Sequence, residues 1–179
     1  MDYNPVIHKT YYKSYYTSTL VGKLILVSDG INIIGLWFEN QKPLIDNKEC
    51  ILIEKDLLVF ELTKNWLDRY FKGEKPKIEE IPIKFIGSEF RKKVWNLLIK
   101  IPYGQIITYG DLAKFVYGSG KYNSRIIGTT VGSNPISIIV PCHRVIGSKN
   151  KLTGYGGGML NKIRLLKLEK VNVSNMQYN

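Results

Sequence analysis

Apolar and polar positions alternate differently in the two halves of the chain. In "GKLILVSDGINIIGLWFEN" two apolar runs, about 23–28 and 31–38, flank Asp29-Gly30. That dipeptide predicts a two-residue hairpin turn, because glycine accepts positive φ cheaply. The tyrosine-rich "HKTYYKSYYTS" before them predicts a third strand. After a charged loop, Leu58, Leu62, Trp66 and Tyr70 recur every four residues, the spacing of one helix face, and Gly73 is a stop signal. "GEKPKIEEIPIKF" then has the proline and charge content of a linker.

Beyond the linker the period is helical. From Ser88, a candidate N-cap, a stripe runs through Phe90, Val94, Leu97, Leu98 and Ile101 until "PYGQI" interrupts it. Thr108, three residues before Asp111, gives a capping-box-like start to a helix with Tyr109, Leu112, Ala113 and Val116 on one side. The turn "GSGKYN" leads to a second short helix, "SRIIGTTVGSNP". Helix, turn and helix is the arrangement of a DNA-binding unit whose second helix reads the groove, and also of many small helical domains. "ISIIV" reads as a short strand halted by Pro141. A loop with five glycines precedes a last helix, predicted to turn Leu160, Ile163 and Leu166 inward and Lys162 and Lys167 outward, with Glu169 at its end. The expected fold is α+β. A small N-terminal antiparallel sheet plus helix (1–80) precedes a helical, winged-helix or helix-turn-helix domain (84–170) and a tail (171–179).

Composition narrows the classes. With 179 residues, 44% of them hydrophobic, the chain can bury a real core. No apolar run approaches the ~18 residues of a membrane helix, and the N-terminus lacks a signal-peptide pattern. The expectation is a cytoplasmic, monomeric protein away from membranes, where thiols stay reduced. Cys50 and Cys142, with His8 and His143, make neither a disulfide framework nor a zinc cluster, so no metal or cofactor is expected. The net charge of +11 is uneven: residues 1–83 carry −1 and residues 84–170 carry +12. A polyanion facing the second half explains that split, and so do solvated lysines.

The stretch "ISIIVPCHRVIG" carries the candidate chemistry. A cysteine attacks as thiolate, so it needs nearby positive charge or a base. His143 and Arg144 supply both residue types beside Cys142, and Glu169 is a carboxylate free to orient the histidine. Neighbouring side chains on a strand point apart, so a bridging water or a turn at Pro141 is required. A buried structural thiol remains open on these residues alone. Cys50, among acids, reads as an ordinary thiol. "GSGK" at 118–121 lacks the flanking residues of a phosphate loop, with Phe115 and Tyr122 where Gly and Ser/Thr are needed. "GYGGG" is too short for a dinucleotide fingerprint, and Trp37, Trp66 and Trp95 read as core.

"PCHRVIG", with "SNPISIIV" before it and "LTGYGGG" and "LLKLE" after it, resembles the O6-alkylguanine-DNA alkyltransferases over about 90–169. "IPYGQIITYGDLA" matches the family's helix-turn-helix region as well. The resemblance implies single-turnover transfer of an alkyl group from O6-alkylguanine, with O4-alkylthymine as a second lesion, in double-stranded DNA to Cys142. His143 would take the thiol proton through a water, oriented by Glu169. Tyr109 would assist nucleotide rotation and protonate the guanine, and Asn134 would tie the recognition helix to the active-site segment. Arg125 would enter the duplex, with Ser124, Thr130 and Ser133 as further DNA contacts. Tyr155, Gly156, Val140 and Pro141 would surround the flipped base. Gly156 stands where many members have serine, and the inter-helix turn is longer than in many relatives. Cysteine rather than tryptophan at 142 argues against the non-reactive alkyltransferase-like proteins. A winged-helix binder of alkylated DNA without chemistry is the main rival, and a cysteine hydrolase a weaker one.

Overall fold

The computed structural model describes residues 9–41, 50–118 and 123–177. Its N-terminal part is a four-stranded sheet of β1 (Lys9–Ser18), β2 (Gly22–Ser28), β3 (Ile33–Phe38) and β4 (Cys50–Glu54). The spatial order is β3-β2-β1-β4. The β1/β2 and β2/β3 pairs are antiparallel, as the alternation predicts, while β4 adds one parallel edge from a segment read as loop. The hairpin turn is longer than expected. Residues 29–32 form it, and the Asp29 carboxylate accepts backbone hydrogen bonds from Ile31 (3.1 Å) and Asn32 (2.8 Å). An aspartate that satisfies its own turn favours this wider loop over the two-residue one.

α1 (Leu58–Phe71) packs on this sheet, rotated from the expected face. Leu58 and Leu62 are 77% and 42% exposed, while Val59, Phe60, Thr63, Trp66, Leu67 and Tyr70 are buried. A four-residue spacing drifts round a helix of 3.6 residues per turn, so burial follows the wider stripe.

The second part contains α2 (Glu89–Ile99), β5 (Ile107–Thr108), α3 (Tyr109–Tyr117), α4 (Ser124–Gly132), β6 (Val145–Ile146) and α5 (Met159–Leu168). The Ser88 hydroxyl accepts from Arg91 N and the Thr108 hydroxyl from Asp111 N, both as N-caps. α3 and α4 pack together as a helix-turn-helix pair; the intervening 119–122 lie outside the described residues. β5 and β6 pair in parallel. Residues 171–177, expected as a tail, return to the body: Leu152 N donates to Gln177 O (2.7 Å) and Met176 is buried. No helix among the described residues is long and apolar enough to cross a membrane.

The two parts share one edge and one core. β3 is buried along its whole length. Its outer edge bridges to Ile83 of the linker and to Ile136 beside the cysteine segment, with Leu36 N donating to Pro135 O (2.9 Å) and Ser137 N to Leu36 O (2.9 Å). An otherwise open strand edge is thereby covered. The core is continuous from Leu24, Leu36 and Phe60 to Leu98, Ile127 and Cys142.

Candidate active site

"ISIIV" is not a strand. After the bridge at Ile136 the chain turns back on itself, with Val140 N donating to Ile136 O (3.0 Å) and Ile139 N to Ser137 O (2.8 Å). Ile138 takes φ 70°, a region a β-branched residue rarely enters. This reversal brings Asn134 to Cys142, eight residues on. Asn134 Nδ2 donates to Val140 O (2.8 Å) and Cys142 Sγ (3.0 Å), and its Oδ1 accepts from Ile136 N (3.0 Å). After Pro141, Cys142–Arg144 form a single 3-10 turn, so the geometry is that of a turn rather than a pleated strand.

Cys142 is 7% exposed. Burial raises its thiol pKa above the usual range, while the Asn134 hydrogen bond and the Lys162 charge pull the other way. The resting group is therefore a thiol, and ionisation has to accompany the reaction.

Behind it lies a dense carboxylate site. Glu169 Oε1 accepts from His143 Nε2 (2.8 Å), Arg144 Nη2 (2.8 Å) and Tyr70 OH (2.6 Å); Oε2 accepts from Arg144 Nε (2.8 Å) and Gly104 N (3.0 Å). Burial alone would raise the Glu169 pKa, but the hydrogen bonds from His143 and Arg144 hold it well below the usual carboxylate range. An ionised partner keeps the proton on His143 Nε2, which leaves Nδ1 as the basic nitrogen. Nδ1 is buried and has no hydrogen-bond partner among the described residues. Burial lowers the His143 pKa against the pull of Glu169, so the ring is neutral and able to accept a proton.

Lys162 reverses its expected orientation. It is fully buried, whereas Leu160 is 60% exposed. Its Nζ donates to Val145 O (2.6 Å) and Thr153 O (3.3 Å), joining the segment after the cysteine to the glycine-rich loop. Burial brings its pKa down to about 8, with the Cys142 charge acting upward.

Cys142 opens on a small cavity of about 10 Å³, room for about one water, walled by Tyr109, Val131, Gly132, Asn134, Tyr155 and Gly156. Tyr109, the first residue of α3, is half-buried, and desolvation raises its pKa, so its hydroxyl stays protonated. Val140 and Pro141, expected at the base pocket, are buried and do not line this cavity. Ser124 and Arg125 are exposed at the start of α4, where Asn123 caps the backbone of Arg125. Thr130 faces inward, 5% exposed, its hydroxyl donated to Ile126 O and its carbonyl accepting from Trp95 Nε1. A DNA contact from its side chain is therefore replaced by a packing role. Ser133 is half-buried, its hydroxyl donated to Thr130 O.

Tyr70, Gln41 and Lys162 were missed as site residues. Tyr70 and Lys162 lay in helical patterns that assign them to core and solvent, and Gln41 carries no motif. Among the described residues no group of three or more His, Cys, Asp or Glu side chains is placed to hold a metal ion.

The comparisons agree with a two-part alkyltransferase. Residues 11–85 match the family model for the 6-O-methylguanine DNA methyltransferase ribonuclease-like domain, and residues 89–171 match that for the DNA binding domain. The chain belongs to the 6-O-methylguanine DNA methyltransferase family. A methylated-DNA–protein-cysteine methyltransferase of Haemophilus influenzae is 41% identical over 160 residues, covering 89% of this chain and 87% of the relative. One from Methanosarcina acetivorans is 40% identical over 149 residues, covering 83% and 92%. The Mycobacterium tuberculosis OGT in complex with DNA has a TM-score of 0.76 at 35% identity, covering 90% of this chain and 92% of that one.

Proposed function

We propose that this protein repairs DNA by direct reversal, moving the alkyl group of O6-alkylguanine, and of O4-alkylthymine, onto Cys142 Sγ. The observation that carries this reading is a buried thiol held by Asn134 at a cavity beside the helix-turn-helix, backed by a neutral histidine on an ionised Glu169. The damaged nucleotide leaves the duplex stack, because a recessed sulfur cannot reach the lesion within it. Arg125, exposed at the head of α4, fills the vacated stack, and the basic half binds the phosphates. The thiol proton passes through a water to His143 Nδ1. The Sγ–C bond forms as the C–O6 bond breaks, and the electron pair passes to the base, which takes a proton from Tyr109. The proton accepted by His143 later restores Tyr109 through solvent, so thiol and alkylguanine become thioether and guanine. An alkyl thioether is stable to water at neutral pH, so each molecule reacts once. It acts as a monomer in the cytoplasm, where the thiol stays reduced.

The test is intact mass after incubation with excess O6-methylguanine duplex. The expected result is a gain of one methyl group on Cys142, absent in Cys142→Ala. Binding to the lesion with unchanged mass would replace this reading with that of a non-catalytic DNA-binding protein.

A further inference from the structure

Gln41 belongs to the turn after β3, in the N-terminal part, yet it forms part of the wall of the cavity at Cys142. Its Oε1 accepts from Ser137 Oγ (3.3 Å) and Phe38 N (3.4 Å), two long hydrogen bonds. Behind it lies a much larger cleft of about 500 Å³ between the end of β3 and the start of α5. Gln41, Tyr155 and Gly156 line both spaces, so they form the partition between them. Tyr155 is held on both sides, edge-on to Phe38 at 5.7 Å and to His143 at 6.4 Å between ring centroids. Gly156 is fixed by its neighbour, since a Cβ at Gly157 would lie 2.3 Å from the Phe38 ring. The flexible member of the partition is the Gln41 side chain.

Gly156 completes the argument. A Cβ there would lie 2.7 Å from Gln41 Nε2, so the amide occupies the room that a side chain at 156 would take. Glutamine at 41 and glycine at 156 are thus two halves of one wall. Tyr109, Val131 and Gly132 form the helix-turn-helix side of the cavity, through which a base enters; Gln41 stands on the side shared with the cleft.

We propose that Gln41 is the residue that determines which alkyl groups this protein accepts. Resting on the alkyl-transfer reading above, it is a swinging partition: bulky groups such as benzyl displace its amide and extend into the cleft, where Val21 and Phe38 offer apolar contact. A methyl group needs no such displacement. Gln41 touches the transferred group and takes no part in proton transfer.

The experiment measures second-order rate constants of the full chain with O6-benzylguanine and with an O6-methylguanine duplex, both read as adduct mass on Cys142. Gln41→Ala should raise the benzyl-to-methyl ratio about tenfold, a change of 1.4 kcal/mol. Gln41→Phe should lower it. Gly156→Ser, whose side chain takes the room of the amide, should bring the raised ratio of Gln41→Ala back towards that of the unsubstituted protein. An unchanged ratio in both Gln41 variants would overturn the partition while leaving alkyl transfer intact. Absence of any adduct on the unsubstituted protein would instead overturn the transfer reading itself.

Discussion

The sheet half and the helical half make opposite contributions to one site. The sheet half is nearly neutral and holds none of the proposed reacting atoms, whereas the helical half carries +12 of charge, the thiol and the histidine. Yet the hydroxyl closest to Glu169 is Tyr70 of α1, a wall of the thiol cavity is Gln41, and the edge of β3 anchors the segment leading to the cysteine. The helical half holds the reactive groups, and the sheet half fixes where they stand. If that division is correct, substitutions in the helical half should stop the reaction, and those in the sheet half should alter stability and selectivity.

The largest effect is expected at Glu169. Glu169→Gln removes the charge that keeps His143 in its basic tautomer and leaves the Arg144 guanidinium without an anionic partner. Single-turnover transfer to a methylated duplex should slow by about 10², and stability at neutral pH should fall by about 3 kcal/mol. Since the folded-state pKa is depressed, this stabilisation is complete above the ordinary glutamate value of 4.5 and is lost as pH falls towards the folded value. The gap between the two proteins in urea unfolding should therefore narrow below that pH. A gap that widened in acid would contradict an ionised Glu169.

Lys162 should have the next largest effect, and it bears on what a sequence can disclose. Lys162→Met removes the positive charge that opposes the upward shift of Cys142, so the pH–rate profile with O6-benzylguanine should move to higher pH. The rate at pH 7 should drop about tenfold, the equivalent of one pKa unit. Its folded-state pKa of about 8 lies below the ordinary 10.5, so the unfolded chain binds more protons between these values. Stability of the unsubstituted protein should rise across that window, and that of Lys162→Met should not. An identical pH–rate profile in the two proteins would reduce Lys162 to a structural tie.

The sequence made the helix-turn-helix, its caps and the hairpin strands legible, because each rests on local period or on a residue that bonds its own backbone. Thr108 and Ser88 show this directly. Long-range partnership was not legible. Lysine at 162 looks solvent-facing until carbonyls from two distant segments are seen to receive it. The run at 136–140 looks like a strand because it is apolar and β-branched, yet it is buried through a reversal that needs Ile138 at positive φ. β4 was lost in its charged surroundings, since its pairing with β1 joins residues about forty positions apart. Residue types brought Cys142, His143 and Glu169 together as candidates, and the family resemblance gave each a role. Their spacing alone left a structural thiol equally open.

The smallest effect separates support from chemistry. Tyr70→Phe removes one of five donors to Glu169 and preserves the ring, which stacks on Trp66 at 5.3 Å between centroids. The four remaining donors keep the carboxylate ionised, so His143 keeps its tautomer. Thermal unfolding should report a loss of about 1.5–3 kcal/mol, the range for a hydrogen bond to a charged group. The transfer rate should change less than about threefold, under 0.7 kcal/mol of barrier. A rate loss matching that of Glu169→Gln, with folding unaffected, would place Tyr70 in the proton path. The sheet half would then hold part of the chemistry, and the division between the halves would fail at the hydroxyl by which α1 reaches Glu169.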